Sequence, residues 1–330
     1  MRLSTTSAAA RFFLLAVPLL LGALTLPARA QEYPTHAIRI IVPYAPGGQG
    51  DITARLVAEG LRTRLPQTVV VENRPGANGT IGTAQVAQAA PDGHTLLLVV
   101  ASHVLTKALM PNVTFDPVKS FVPITMTART PVVMVVSPTL PVKTLAEFVA
   151  YARSKPGELV YASAGSGSNV HVFAQWFNQL AKLNMIHVPY KGSAAAHSDL
   201  IAGRAHMVFD TLPSVQGHVA QGNLKLVAVG GTTRLPQYPD VPTIAESGYP
   251  EFEAASWGVV LAPAGTPKPI VDKLNREIVA VLRSPEVKER FASFGSEVVA
   301  NSPAEMLTIL QAEERRASAL VRELGIEIGQ

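Results

Sequence analysis

Apolar and polar positions alternate along the chain in two recurring patterns, one strand-like and one helix-like. Ala37–Val42 is an apolar run rich in β-branched residues and reads as a buried strand. Ile52, Leu56 and Leu61 then fall on one side of a helix. Thr68–Val71, Thr95–Ala101 and Val132–Val136 predict further strands, with helices at Thr80–Ala89 and His103–Met110 between them. The pattern restarts after Pro138. Thr144 and Glu147 have capping-box spacing, and Lys155-Pro156-Gly157 ends the helix they begin. A strand at Leu159–Ala162 follows, then a helix with Phe173, Trp176, Phe177 and Leu180 at helical spacing. Met185–Val188, Ala205–Phe209 and Leu224–Val229 predict strands, and Ala194–Ala202 a helix. The remainder is helical. Ile270, Leu274, Ile278 and Leu282 form one stripe, and Ser302, Pro303 and Glu305 open a long helix to about Leu324. Two such series predict an α/β fold with a largely parallel sheet in each of two similar domains, the helical tail covering the first. Prolines at 236–242 and 263–269 mark loops, where a crossover between the domains is expected.

The first thirty residues stand apart from this pattern. Arg2 and Arg11 precede or open a short apolar run from Phe12 to Leu26, and Ala28-Arg29-Ala30 fits a cleavage site. The run is shorter than the ~20 residues a membrane span needs, so a cleaved export signal is expected, with Gln31 as the mature N-terminus. Three of the 28 basic residues and none of the 24 acidic ones lie in this leader. The rest of the chain carries 25 basic against 24 acidic residues, so the high whole-chain pI gives no argument for a nucleic-acid partner. There is no cysteine, which excludes disulfides, thiolate metal sites, a cysteine nucleophile and a lipid-tethering cysteine.

Two glycine-rich loops each run from a strand into a helix: Pro43–Asp51, with Gly47, Gly48 and Gly50, and Ser163–Asn169, with Gly165 and Gly167. A helix N-terminus presents unpaired N–H groups and partial positive charge, so each loop is a candidate anion site. An ordinary βα turn gives the same pattern. Asp51 starts a helix, where its charge favours the dipole, and it reads mainly as a residue that fixes its loop. The second loop lacks the lysine of a Walker A motif and has Val170 where a dinucleotide fingerprint needs a small residue. Ser163, Ser166 and Ser168 supply hydroxyls instead, which suits a carboxylate.

A serine hydrolase using Ser166 and His171 is the sharpest enzymatic alternative, but no Gly-x-Ser-x-Gly elbow surrounds Ser166. His171 reads instead as a residue that holds the loop. The eight histidines show no paired metal-ligand spacing, so neither a metal nor a cofactor is expected. His187–Ser193 is a third strand-to-helix loop; Lys191 there either attracts an acid or is simply solvated. Asp210 ends a strand, a position that often faces a cleft in parallel sheets.

Val42–Gly48 with Asp51 and Ala54-Arg55 resembles the opening motif of the Bug family, periplasmic receptors of tripartite tricarboxylate transporters. The resemblance continues through Val71–Ala77, Pro91-Asp92-Gly93, Tyr161–Ser168 and Val188–Gly192, and closes at Ala262–Pro267. It implies a type II periplasmic-binding-protein fold: two α/β domains with a ligand cleft between them. Domain 1 would comprise residues 31–130 and 252–330, and domain 2 residues 131–251. It further implies a monomeric receptor that binds a small carboxylate and serves a membrane transporter, or alternatively a sensor kinase. Tyr44, Ala45, Gly47, Gly48, Gly50 and Asp51 on one side, and Ser163, Gly165, Ser166, Gly167 and Ser168 on the other, would hold the carboxylate. Asn78, Ser102 and Asp210 are the candidates for reading the rest of the ligand. The family usually has Ser or Thr where Gly50 stands, often Tyr at His94, and commonly an acidic residue at Ser120.

Overall fold

The computed structural model of the chain describes residues 33–326; the leader and its cleavage site lie outside them. The chain begins with β1 (Ile38–Val42), α1 (Gln49–Leu61), β2 (Val69–Asn73), α2 (Thr80–Ala87) and β3 (Thr95–Val100). A 3₁₀ turn at Ala101–Leu105 and the short α3 (Thr106–Leu109) lead to β4 (Phe121–Val136). Next come α4 (Leu145–Arg153), β5 (Val160–Ser163), α5 (Asn169–Leu180), β6 (Ile186–Pro189), α6 (Ser193–Ile201), β7 (Met207–Thr211), α7 (Leu212–Ala220) and β8 (Lys225–Val229). The chain finishes with β9 (Ala255–Pro263), α8 (Lys268–Leu282), α9 (Pro285–Ser293), β10 (Glu297–Val298) and α10 (Pro303–Leu324).

The main strand order is β2-β1-β3-β9-β4-β7-β5-β6. β1 pairs in parallel with β2 and β3 at one end, and β5 with β6 and β7 at the other. Between these groups lies β4, whose partner changes along its length: β9 up to Pro131, then β7 and β8 from Val132 and Val133 onward. β4 thus carries the chain from one lobe to the other, and β9 resumes the first lobe's sheet on the return.

Both lobes bury their sheets on two faces, which is why the strands read as unbroken apolar runs. Ile40, Val42, Leu96 and Leu98 pack on one face with α1 and α8 residues such as Val57 and Leu274, while Ile41, Leu97 and Val99 pack on the other with Val86, Phe115 and Leu310. In the second lobe Met134 and Val136 meet Phe148, Phe177 and Phe209, and Val133 and Val135 meet Leu200 and Val215. The period of two along each strand assigns alternate residues to opposite cores.

Two readings of the sequence are corrected. The sheet is mixed: four pairings are parallel and five, those of β4 and β9, are antiparallel. In addition, β9 and the first eleven residues of β4 are strands that the apolar pattern did not mark. Pro123, Pro131 and three threonines interrupt the β4 run. The prolines are tolerated because Pro123 flanks a register shift and Pro131 sits where the partner changes, so the missing N–H falls at a break in the ladder. The capping box at Ser302 and Glu305 forms reciprocally. At Thr144 only half forms, because Glu147 bonds the Lys143 N–H instead.

Gly60 is fixed by helix packing. A Cβ there would lie 2.4 Å from Cγ1 of Val281, a buried residue of α8. Gly60→Ala gains roughly 1 kcal/mol of helix propensity, but overpacking costs roughly 1–3 kcal/mol. The expected result in urea denaturation is a net loss of stability that Val281→Ala relieves in the double variant. A single variant more stable than wild type would show that α8 yields freely.

Candidate functional site

A cavity of about 550 Å³ lies between the lobes. It is bordered by the starts of α1, α2, α5 and α6 and by Thr211, the N-cap of α7. Five helices therefore direct partial positive charge toward one space. Gly48, Gly79 and Gly192 are the N-caps of α1, α2 and α6, and none can offer a capping side chain. Lys191 and Asp210 are the only charged side chains in the lining among the described residues. The lobes meet at the mouth: a Cβ on Gly192 would lie 3.2 Å from the Cβ of Ala45.

Ten of the fourteen candidate residues line this cavity: Tyr44, Ala45, Gly48, Gly50, Asn78, Ser102, Gly165, Ser166, Ser168 and Asp210. The other four, Gly47, Asp51, Ser163 and Gly167, are absent from the lining and form the internal bonding of the loops. The Gly47 N–H donates to Asp51 Oδ2 at 3.1 Å, and Arg55 Nε donates to Asp51 Oδ1 at 3.0 Å. Burial acts to raise the Asp51 carboxyl, but hydrogen bonds from Arg55, Gly47 and Asn73 and the Arg55 charge outweigh it. The carboxyl lies below its ordinary range. In the second loop the Gly165 N–H donates to Ser163 Oγ, and the Gly167 N–H to His171 Nδ1 at 3.1 Å. Ser168 caps α5, taking the His171 N–H while donating to the Gly165 carbonyl at 2.7 Å. Three loop amides expected to face an anion, those of Gly47, Gly165 and Gly167, thus already have partners. Each loop is therefore held in shape by its own hydrogen bonds.

His171 belongs to this scaffold. Its ring stacks on His187 at 3.9 Å, and His187 stacks on Tyr161 at 4.9 Å and bonds Ser163 Oγ at 2.8 Å. Burial, aided for His171 by the neighbouring His187, pushes His171 down to about 3; burial pushes His187 down to about 4. Both are neutral at physiological pH, and the amide-accepting Nδ1 of His171 fixes its proton on Nε2.

On the first lobe's wall Tyr44 bonds Ser102 Oγ at 3.1 Å. Burial raises the Tyr44 phenol against the bonds to Ser102 and the Val100 N–H, so it remains neutral. A Cβ at Gly50 would lie 3.1 Å from Cδ2 of Tyr44, so the absent side chain gives this ring its place over the start of α1. Across the cavity Asp210 is buried, bonded to His197 Nε2 at 2.9 Å and to the Thr211 N–H at 2.7 Å.

Sequence reasoning missed Gln49, Asn169 and Thr211 as lining, and of the segment Pro75–Gly79 it named Asn78 alone. That segment had one local signal. Gly76 to Gly79 all take positive φ, and Gly-Ala-Asn-Gly is a composition that permits this. One group elsewhere, His36, Asp92 and His94, brings possible metal-ligand atoms within 4.8 Å of one another. The two imidazoles are stacked 3.6 Å apart and 9° from parallel, so their in-plane lone pairs do not converge on one ion.

Two α/β lobes joined by crossing strands, with helix N-termini facing a shared cleft, have the build of a solute-binding receptor. Residues 53–326 match the sequence model of the tripartite tricarboxylate transporter family receptor, TctC. The chain belongs to this family, which includes the Bug proteins. It is 39% identical over 306 residues to BugT of Bordetella pertussis, covering 92% of this chain and 93% of that one. Among solved structures it resembles Rhodopseudomonas palustris Rpa4515 with adipate, at 34% identity and a TM-score of 0.87, covering 90% of this chain and 99% of that one. It likewise resembles MatC (Rpa3494) of Rhodopseudomonas palustris with bound malate, at 33% identity and a TM-score of 0.83, covering 88% and 100%.

Proposed function

We propose that this receptor captures a small carboxylate by closure of its cleft and delivers it to a tripartite tricarboxylate-type membrane transporter. One observation carries the reading: an inter-lobe cavity at which five helix N-termini converge, three of them without a capping side chain. Amides held in place by a rigid loop stabilise an anion without a counter-charge, as at other helix N-termini. The first turns of α1 and α5, with Ser166, would hold one carboxylate. Tyr44, Ser102 and Asn78 on one wall and Asp210 on the other would read the remainder. Adipate and malate in the two similar structures support a dicarboxylate or a comparably sized acid. Export by the leader with cleavage after Ala30, and a monomeric state, complete the proposal. The lobes would comprise residues 31–130 with 252–330, and 131–251, closing about the β4 crossover.

A thermal-shift panel of dicarboxylates, amino acids and aromatic acids on the mature protein tests it. Binding to the folded state alone adds about 2.7 kcal/mol of apparent stability at a hundred times Kd. At least one acid is expected to raise the midpoint by several degrees. A panel in which none does so overturns the reading, as does ester turnover that disappears in Ser166→Ala.

A further inference from the structure

The two helices that bring the glycine loops to the cavity begin alike. Gln49 is the first residue of α1 and Asn169 the first of α5. Both border the cavity and both are buried. Each points its carboxamide away from the helix toward the crossing strands. Gln49 Nε2 donates to Thr130 Oγ1 at 3.1 Å, and Asn169 Nδ2 donates to Ser256 Oγ at 3.2 Å. Thr130 and Ser256 are directly paired residues of β4 and β9, one rung before β4 changes partner. Thr130 also accepts from Ser296 Oγ at 3.1 Å. Thr130 and Ser256 are 2% and 0% exposed and neither lines the cavity. The Asn169 bond joins a helix of the second lobe to a strand of the first. Among the described residues, Asn169 alone borders both the ligand cavity and a second cavity of about 390 Å³, which α5 and α10 line.

We propose that Gln49 and Asn169 are positioning residues that couple ligand capture to the hinge, through the Thr130–Ser256 rung. The proposal rests on the receptor reading above. Free rotation of the lobes would point α1 and α5 at a common carboxylate only part of the time, and apparent affinity falls in proportion to the competent fraction. Tying each helix start to the same rung of the crossing strands restricts the lobes to angles at which the two N-termini converge. Buried amide-to-hydroxyl bonds suit this task because a broken one leaves donors unpaired away from water.

The test exploits the absence of cysteine from the chain. Ile81→Cys on α2 and Ser198→Cys on α6, both exposed, place spin labels on the two lobes. Inter-lobe distance distributions are then measured without ligand, in the parent and in Ser256→Ala and Thr130→Val backgrounds. Both variants are expected to broaden or displace the distribution, and to weaken adipate binding roughly three- to tenfold, the worth of one such bond. Distributions that match the parent in both variants overturn the proposal, whatever happens to the melting midpoint. If the acid panel finds no ligand, the receptor reading fails, and the ligand-free distances still decide whether the rung restrains the lobes.

Discussion

Gly48→Asp should leave the protein folded while reducing carboxylate binding by a factor of about 100 or more. Gly48 is the N-cap of α1 with φ −86° and ψ 173°, an extended conformation open to any residue. A Cβ placed there meets nothing within 4 Å. Asp is among the preferred N-caps, because its carboxylate accepts from first-turn N–H groups. Relative to Gly the gain is only a few tenths of a kcal/mol, and Asp51 nearby opposes it by like-charge repulsion. Stability should therefore change by less than about 0.5 kcal/mol. Binding responds differently, since the new carboxylate occupies the amides an incoming anion would use and repels it. Like charges brought together at an interface cost several kcal/mol, and 2.7 kcal/mol is a hundredfold in Kd. Gly48→Ser separates the two contributions: it adds a neutral cap and should weaken binding less. Urea denaturation and titration calorimetry with whichever acid stabilises the wild type give both numbers. A Gly48→Asp protein that binds as the wild type does would place the carboxylate elsewhere in the cavity.

The glycine loops were legible in the sequence because a strand followed by glycines and an amphipathic stripe implies a helix N-terminus. The division of labour within them was not. Nothing in the string Gly47-Gly48-Gln49-Gly50-Asp51 says that the first amide turns back to Asp51 while Gly48 leaves the next turn uncapped. That depends on φ +86° at Gly47, a torsion the sequence permits without specifying. His171 is a favourable case. Its place four residues after Gly167 allows one helical turn to return the ring to the loop, and the Gly167 N–H finds Nδ1. Gln49 and Asn169 are the opposite case, since their partners lie 81 and 87 residues away, on β4, whose apolar run prolines break, and on β9. The fold class followed from local periodicity. The crossing of β4 and β9 did not, because partner choice in a sheet is set by tertiary packing that a period of two does not encode.

Acid should destabilise the receptor well before its carboxylates protonate, and His171 should account for much of the loss. Its ordinary value is 6.5, and burial, with His187 alongside, depresses it in the fold to about 3. The unfolded chain then binds a proton that the folded protein refuses. This contribution is fully present above pH 6.5 and is lost as pH falls from 6.5 toward 3. By pH 4 the loss from His171 alone is roughly 3 kcal/mol. His103, buried and depressed to about 4, acts in the same direction, as does the more exposed His187 to a smaller, solvent-screened extent. In a domain with a net stability of roughly 5–15 kcal/mol, such terms are a large share. His171→Asn is the informative variant, because the Asn carbonyl oxygen can stand where Nδ1 accepts the Gly167 N–H and it does not titrate. Between pH 7 and pH 4.5 the wild type is expected to lose stability more steeply than His171→Asn in urea denaturation. Equal slopes would show that protonation of His171 is accommodated, by the ring leaving its stack on His187 for solvent. The second loop would then loosen first at low pH, and ligand affinity would fall ahead of global stability.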